Sequence, residues 1–390
     1  MSVQQQSLPL QMQSPSSLVT TGLALFSMFF GAGNLIFPLL LGKTSGSNVW
    51  YAIAGLGITA VVMPFLGLAA MVLFQGDYHR FFGRAGRVPG LLLLLLLQFL
   101  LGPFGVIPRL ITLMHAMAAP YLMDVPLSLF SVLAAALIFA CSFQREKLIG
   151  FLGAILTPIL LLALAALVFF GWINGEAMVS ATVPATRSFF EGLIGGYQTM
   201  DLIAAFLFAT VVLPHFQKGG EGHAPMKKIF LSSVIAAALL LLTYVGLSIV
   251  SAYHSTALAP DCPAEQLLSA IATHLLGPAG GCIAAIAVLT ACLTTAMTLV
   301  SIFADYLQKD LCKRKIGGKS ALIATLVVAT LFANLGFGGI AAFLSPILQI
   351  VYPGLILLTV LNLLHVLYGQ RMVKMPVFVA FVGSAVIYCL

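Results

Sequence analysis

The sequence predicts an all-α polytopic membrane protein, on three observations. Its 390 residues are 61% hydrophobic and only 7% charged, far below the roughly 25% charge of a soluble domain. The apolar residues gather into about eleven runs near the ~20 residues needed to cross a hydrocarbon core about 30 Å thick. These runs are continuous, as in LLLLLLL at 91–97 and ILLLALAALVFF at 159–170, whereas a transmembrane strand alternates over about 10 residues. A soluble domain and a β-barrel are both excluded.

The spans are read in order at 16–42, 48–74, 88–117, 125–143, 148–172, 190–216, 227–253, 278–306, 320–336, 339–366 and 375–390. Residues 1–15 carry no Lys or Arg, and the run after them is too long for a signal-peptide core and lacks a small-residue cleavage pattern, so span 1 is expected to be retained. Basic residues sort by loop. One side receives Arg80, Arg84 and Arg87, then Arg145 and Lys147, then Lys218, Lys227 and Lys228, then Lys309, Lys313, Arg314, Lys315 and Lys319, then Arg371 and Lys374. The other side receives only Lys43 and Arg187. Because cytoplasmic loops are rich in Lys and Arg, the N-terminus is expected in the cytoplasm. The basic excess is a topology signal with weak attraction to anionic lipid, and it calls for no nucleic-acid partner. Six cysteines show no metal-ligand or CxxC spacing, and the seven histidines form no HExxH, so no cofactor and no catalytic centre is expected.

An interruption of a helix at membrane depth must be buried in protein or line a cavity. Span 1 is interrupted by Gly31, Ala32, Gly33 and Asn34, and span 6 by Gly195, Gly196, Tyr197, Gln198, Thr199, Met200 and Asp201. Glycine also serves close helix contact in membranes, but Asn34 and Asp201 add polar groups that are costly in hydrocarbon, a central Asp about 2.5–3.5 kcal/mol. Five spans separate the breaks, so span 6 crosses opposite to span 1, as in two inverted five-span halves. The halves are expected at 16–172 and 190–366, with an additional helix at 375–390.

Asp201 has two compatible roles: capping the second half of span 6, or contacting a cation or ammonium. In span 8, Thr290, Thr294, Thr298, Ser301 and Asp305 recur at helical spacing on one face, with Thr295 beside them. Such hydroxyls bond back to their own helix or join neighbouring helices, and they also suit a hard cation. Arg109 follows Gly102, Pro103 and Gly105 toward the outer part of span 3. It is expected either to snorkel to the interface or to pair with a carboxylate across an outer vestibule.

FGAGNLIFP at 30–38, GPFGVIPR at 102–109, GYQTMD at 196–201, ACLTT at 291–295 and NLG at 334–336, in this order, resemble the bacterial branched-chain amino acid:cation symporters, the LIVCS family. The likeness runs from about residue 20 to 365. It implies a LeuT-like 5+5 inverted repeat with discontinuous helices 1 and 6 around a midplane site. It further implies a cation held by the Ala291 carbonyl, the Thr294 and Thr295 hydroxyls, and carbonyls near Ser27 and Phe30. Members usually show about twelve spans against about eleven here, which leaves the five-plus-five core entire and puts the last helices in question.

The function expected from this resemblance is secondary active import of Leu, Ile and Val with Na⁺ across the bacterial inner membrane. The N–H groups of Ala32, Gly33 and Asn34 would hold the substrate carboxylate at a helix N-terminus. Carbonyls of Tyr197, Gln198 and Thr199, beside Asp201, would accept from its ammonium, and Phe104 and Phe206 would line the aliphatic pocket. The partners expected are the amino acid, a monovalent cation and membrane lipid. The rival readings are a proton-coupled permease of the same fold using Asp201, a channel, and a membrane sensor that binds without flux.

Overall fold

The computed structural model describes residues 18–390, apart from 123, 143–144, 176, 182, 218–225, 260, 371 and 390. The described residues form helices and no strand. In chain order the α-helices are α1 Leu18–Phe29, α2 Ala32–Ser45, α3 Val49–Gly57, α4 Met63–Leu73, α5 Tyr78–Gly83, α6 Arg87–Leu101, α7 Val106–Ala118 and α8 Leu127–Ser142. They continue with α9 Arg145–Ile173, α10 Ala185–Thr199, α11 Asp201–Gln217, α12 Met226–Tyr253, α13 Leu267–Tyr306, α14 Gly318–Ala333, α15 Gly336–Tyr368 and α16 Lys374–Cys389. Among the described residues, six helical stretches are long and apolar enough to cross a membrane, and shorter apolar helices accompany them.

Each apolar run of the sequence is occupied by helix within a few residues of its expected bounds. Span 1 is α1 and α2, broken between them; span 6 is α10 and α11. Span 2 is α3 and α4, joined by a π-helical turn at Ile58–Val62. Span 3 is also divided, into α6 and α7, by a turn of four residues from Gly102 to Gly105. A Cβ on Gly105 would fall on the Leu100 carbonyl oxygen. The helix α13 exceeds span 8 at its start: Gly277 has φ 70°, a left-handed conformation that favours glycine, and Pro278 follows. Residues 267–276 are therefore a separate helical arm.

The packing follows the inverted repeat. α1 and α2 of span 1 both lie against α12 of span 7, while α10 and α11 of span 6 lie against α3 and α4 of span 2. Exchanging span 1 with 6 and span 2 with 7 maps the first set of contacts onto the second. The backbones approach closely at glycines, as membrane helices do without a hydrophobic drive between them. A Cβ on Gly42 of α2 would meet the Ser248 carbonyl oxygen of α12, and one on Gly192 of α10 would meet that of Ala52 in α3. Hydroxyls bridge the same pairs: Ser251 Oγ donates to Leu39 O at 2.6 Å and Thr59 Oγ1 to Leu193 O at 3.0 Å. The C-terminal α16 lies against α15.

Candidate substrate and ion site

The break in span 1 is short and closes on itself. After α1 ends at Phe29, Gly31 is extended with φ −120° and ψ −169°, a conformation open to any residue. Asn34, in the first turn of α2, reaches back so that its Oδ1 accepts from the Gly31 N–H at 3.0 Å. The N–H groups of Ala32, Gly33 and Asn34 open a helix and have no intrahelical acceptor, so the positive end of α2 points at the break.

In span 6 the chain turns at Met200, whose φ of 64° is left-handed. Its N–H is held by Tyr197 O at 3.1 Å. Asp201 opens α11, where a carboxylate is favoured by the helix dipole. Asp201 Oδ2 accepts from Asn34 Nδ2 at 2.7 Å and from the Tyr244 hydroxyl of α12 at 3.0 Å. Asn34 Nδ2 also donates to the Tyr244 hydroxyl oxygen. All three residues are buried, so the acid at membrane depth is met by polar partners, as its cost there requires. The two breaks also touch through backbone: a Cβ on Gly33 would sit 2.9 Å from Thr199 Cα. Gly31, by contrast, would carry a Cβ with only Asn34 Oδ1 nearby, at 3.6 Å.

Arg109 departs from both expectations. It neither snorkels nor meets a carboxylate: at 2% exposure it is buried, because the turn at Gly102–Gly105 starts α7 inside the bundle. Its Nη1 donates to Gln198 O and its Nη2 to Gln198 Oε1, each at 2.7 Å. The Phe37 and Phe337 rings lie 5.5 Å from its guanidinium carbon, a cation–π distance. The planar fork thus fixes the last turn of α10, whose carbonyl end carries partial negative charge. The Gln198 carbonyl, expected to receive a substrate ammonium, is engaged by Arg109 in this conformation.

Between the breaks lies a cavity of about 30 Å³, lined by Met28, Phe29 and Gly31–Asn34 of span 1, Thr199–Asp201, Ala204 and Phe208 of span 6, Leu101, Val106 and Arg109 of span 3, and Thr295 and Leu299 of span 8. It therefore gathers Ala32, Gly33, Asn34, Thr199, Asp201 and Thr295 from the expected set. Tyr197 instead stacks on Tyr352 at 4.7 Å. Phe206 packs on Phe81 and Phe82, at 5.2 and 5.3 Å, and Phe104 on Phe99 and Phe332, at 5.2 and 4.6 Å. Both rings serve helix packing, and Phe29, Phe208 and Leu299 take the apolar side of the cavity. The Thr294 and Thr295 hydroxyls both donate to Ala291 O, at 2.8 and 3.0 Å. Of the expected cation ligands, Thr295 borders the cavity directly; Ser27 and Phe30 lie on the two sides of Phe29 at the end of α1. Tyr244 escaped sequence reasoning, because a tyrosine in an apolar run reads as part of the span; the polar end that it adds shows only when Asp201 faces it.

A family model described as branched-chain amino acid transport protein matches residues 14–389. The chain belongs to this family. Among its relatives, the branched-chain amino acid permease BraB of Bacillus subtilis (strain 168) is 31% identical over 363 residues, covering 90% of this chain and 81% of that one. BrnQ, a permease of the same description and organism, is 30% identical over 371 residues, covering 92% and 83%. The fold is similar to that of Mhp1 in its inward-facing conformation, with a TM-score of 0.65, 14% identity and coverage of 95% of this chain and 89% of that one. The LeuT-like architecture expected from the motifs is thus present, in a multi-pass membrane protein. Family members are permeases and carriers, not enzymes.

Proposed function

We propose that this family member is a secondary active symporter that imports Leu, Ile and Val with Na⁺ across the bacterial inner membrane, with its N-terminus in the cytoplasm. The observation that carries the reading is the single cavity into which the positive start of α2 and the acid of α11 both open. An amino acid is a zwitterion and needs one of each. Its carboxylate would take the N–H groups of Ala32, Gly33 and Asn34, its ammonium the Asp201 carboxylate and the Thr199 carbonyl. The aliphatic chain would lie against Phe29, Phe208 and Leu299. The similarity to BraB and BrnQ supports the substrate class.

A cavity of about 30 Å³ has room for water but not for leucine, so loading requires spans 1 and 6 to part from spans 3 and 8. A cation held by the Thr294 and Thr295 hydroxyls, the Ala291 carbonyl and carbonyls near Ser27 and Phe30 would tie span 8 to span 1 and favour one access state. Differential affinity of this kind is what coupling needs. A second reading is favoured by Asp201: a buried carboxylate at the centre of the site suits proton coupling. An aliphatic pocket separates one methylene by only about 1–3 kcal/mol, so the three substrates should compete. In reconstituted vesicles, uptake of labelled leucine should be suppressed by excess Ile and Val and spared by Asp and Lys. Suppression by Lys, or none by Val, overturns the substrate assignment.

A further inference from the structure

Away from the transport site, a groove of about 380 Å³ lies between α5 and the start of α6, lined by His79, Phe82, Gly83, Arg87, Gly90, Leu91 and Leu94. Its two ends differ in chemistry. At the mouth stand the Arg87 guanidinium and the His79 imidazole, whose side chain is 55% exposed. Beside them are Arg80 of α5 and Arg84, the residue that follows this helix. Arg84 is held below the ordinary arginine range by burial and then by repulsion from Arg80. One to two turns into the span, the exposed Leu91 and the buried Leu94 line the other end, next to the strongly exposed apolar side chains of Val88 and Leu92. Exposed apolar residues at the start of a membrane helix face acyl chains.

The local acids leave this positive charge largely uncompensated. Asp77 is engaged as the N-cap of α5, accepting from Arg80 N at 2.9 Å. Asp310, from the turn after α13, lies 3.8 Å from His79 and close enough to Tyr78 and Tyr306 to act on both. The start of α6 adds direction: Gly86 carries no capping side chain, and the N–H of Arg87 and that of Val88 open the helix toward the basic mouth. The same side of the protein collects most of its lysine and arginine, as expected for the leaflet rich in anionic lipid.

We propose that this groove binds one anionic phospholipid. The phosphodiester sits on Arg87, His79 and the first N–H groups of α6, and one acyl chain runs along the exposed Leu91 and Leu92. Charge selects the headgroup, and the apolar wall requires the tail. The groove is built from the connection between spans 2 and 3, so the bound lipid braces the two helices that flank the discontinuous spans.

The test is native mass spectrometry of the delipidated full chain titrated with phosphatidylglycerol, phosphatidylcholine or glycerol phosphate. Wild type should retain phosphatidylglycerol over phosphatidylcholine, by about fivefold for each basic contact, and should not retain glycerol phosphate. Arg87→Gln with His79→Gln should abolish the preference, whereas Lys315→Gln in the 307–317 turn should preserve it. All three positions are exposed or half-exposed, so the fold tolerates the changes. Leu91→Asn, at an exposed position of the apolar end, should weaken phosphatidylglycerol retention with the charge intact. Equal retention of the two lipids by wild type, an unchanged preference in the Arg87 and His79 variant, or binding of glycerol phosphate as tight as that of the lipid overturns the proposal.

Discussion

The side-chain amide of Asn34 donates to Oδ2 of Asp201 at 2.7 Å, and this bond joins the break in span 1 to the break in span 6. The same side chain accepts from the Gly31 N–H through its oxygen, which fixes the orientation of the amide. Its two ends therefore have separate tasks. One closes the span 1 break, and the other holds the acid in place beside Tyr244.

Removing that link should be costly. Asn34→Ala leaves a buried N–H and a buried carboxylate each short of a partner, about 1–3 kcal/mol per orphaned group, so leucine uptake should fall at least about tenfold. In a double-mutant cycle with Asp201→Asn, the two losses should overlap, because both act on one bond. Strictly additive losses would show that the residues act separately.

Arg109 is expected to depend on its fork as well as its charge. Lysine in its place puts all its donors on one nitrogen and does not reproduce the fork by which Nη1 and Nη2 reach Gln198 O and Gln198 Oε1 separately. Arg109→Lys should lower uptake about tenfold or more, from the loss of one hydrogen bond involving a charged group at about 1.5–3 kcal/mol. Wild-type uptake in this variant would mean that the end of α10 needs no such anchor.

Gly31 and Gly33 should behave differently although they stand two residues apart. Gly33→Ala places a Cβ 2.9 Å from Thr199 Cα, a backbone atom that yields only if the two breaks separate, and uptake should be lost. Gly31→Ala meets nothing closer than 3.6 Å at an ordinary extended conformation, and most uptake should remain. Equal effects of the two substitutions would contradict the close approach of the breaks.

The sequence made the spans legible, because continuous apolar runs bounded by basic loops leave little choice of helix ends. The breaks in spans 1 and 6 were equally visible, since Gly31–Asn34 and Gly195–Asp201 set small and polar residues in apolar surroundings. The contacts that give these residues meaning were not. The burial of Arg109 is decided by α7 packing against α2, α13 and α15 with Gln198 at the end of α10 meeting the guanidinium, a tertiary event, although GPFGVIP before it does announce the turn. The exclusion of Phe104 and Phe206 from the cavity has the same cause: a phenylalanine in a span has no periodicity that separates ligand-facing from helix-facing rings. The kink at Gly277 could have been read from the Gly277–Pro278 pair.

The aromatic residues supply a further contrast. Phe208 borders the cavity, so Phe208→Ala should alter the ranking of Leu, Ile and Val as competitors. Phe206 is fully buried between Phe81 and Phe82. Phe206→Ala should lower thermal stability, by about 3–5 kcal/mol for a buried Phe, with the ranking unchanged in the protein that folds. Altered selectivity in Phe206→Ala and none in Phe208→Ala would reverse the assignment of the apolar wall.

The proposed Na⁺-coupled import is tested by gradient-driven uptake in proteoliposomes. Leucine accumulation is measured with an inward Na⁺ gradient and with none, at fixed pH, for wild type and for Thr294→Ala with Thr295→Ala. Wild type should accumulate leucine concentratively only with the Na⁺ gradient, and the double variant should lose that dependence. Equal uptake in all four conditions, or accumulation that follows a proton gradient in the absence of Na⁺, would contradict Na⁺-coupled import.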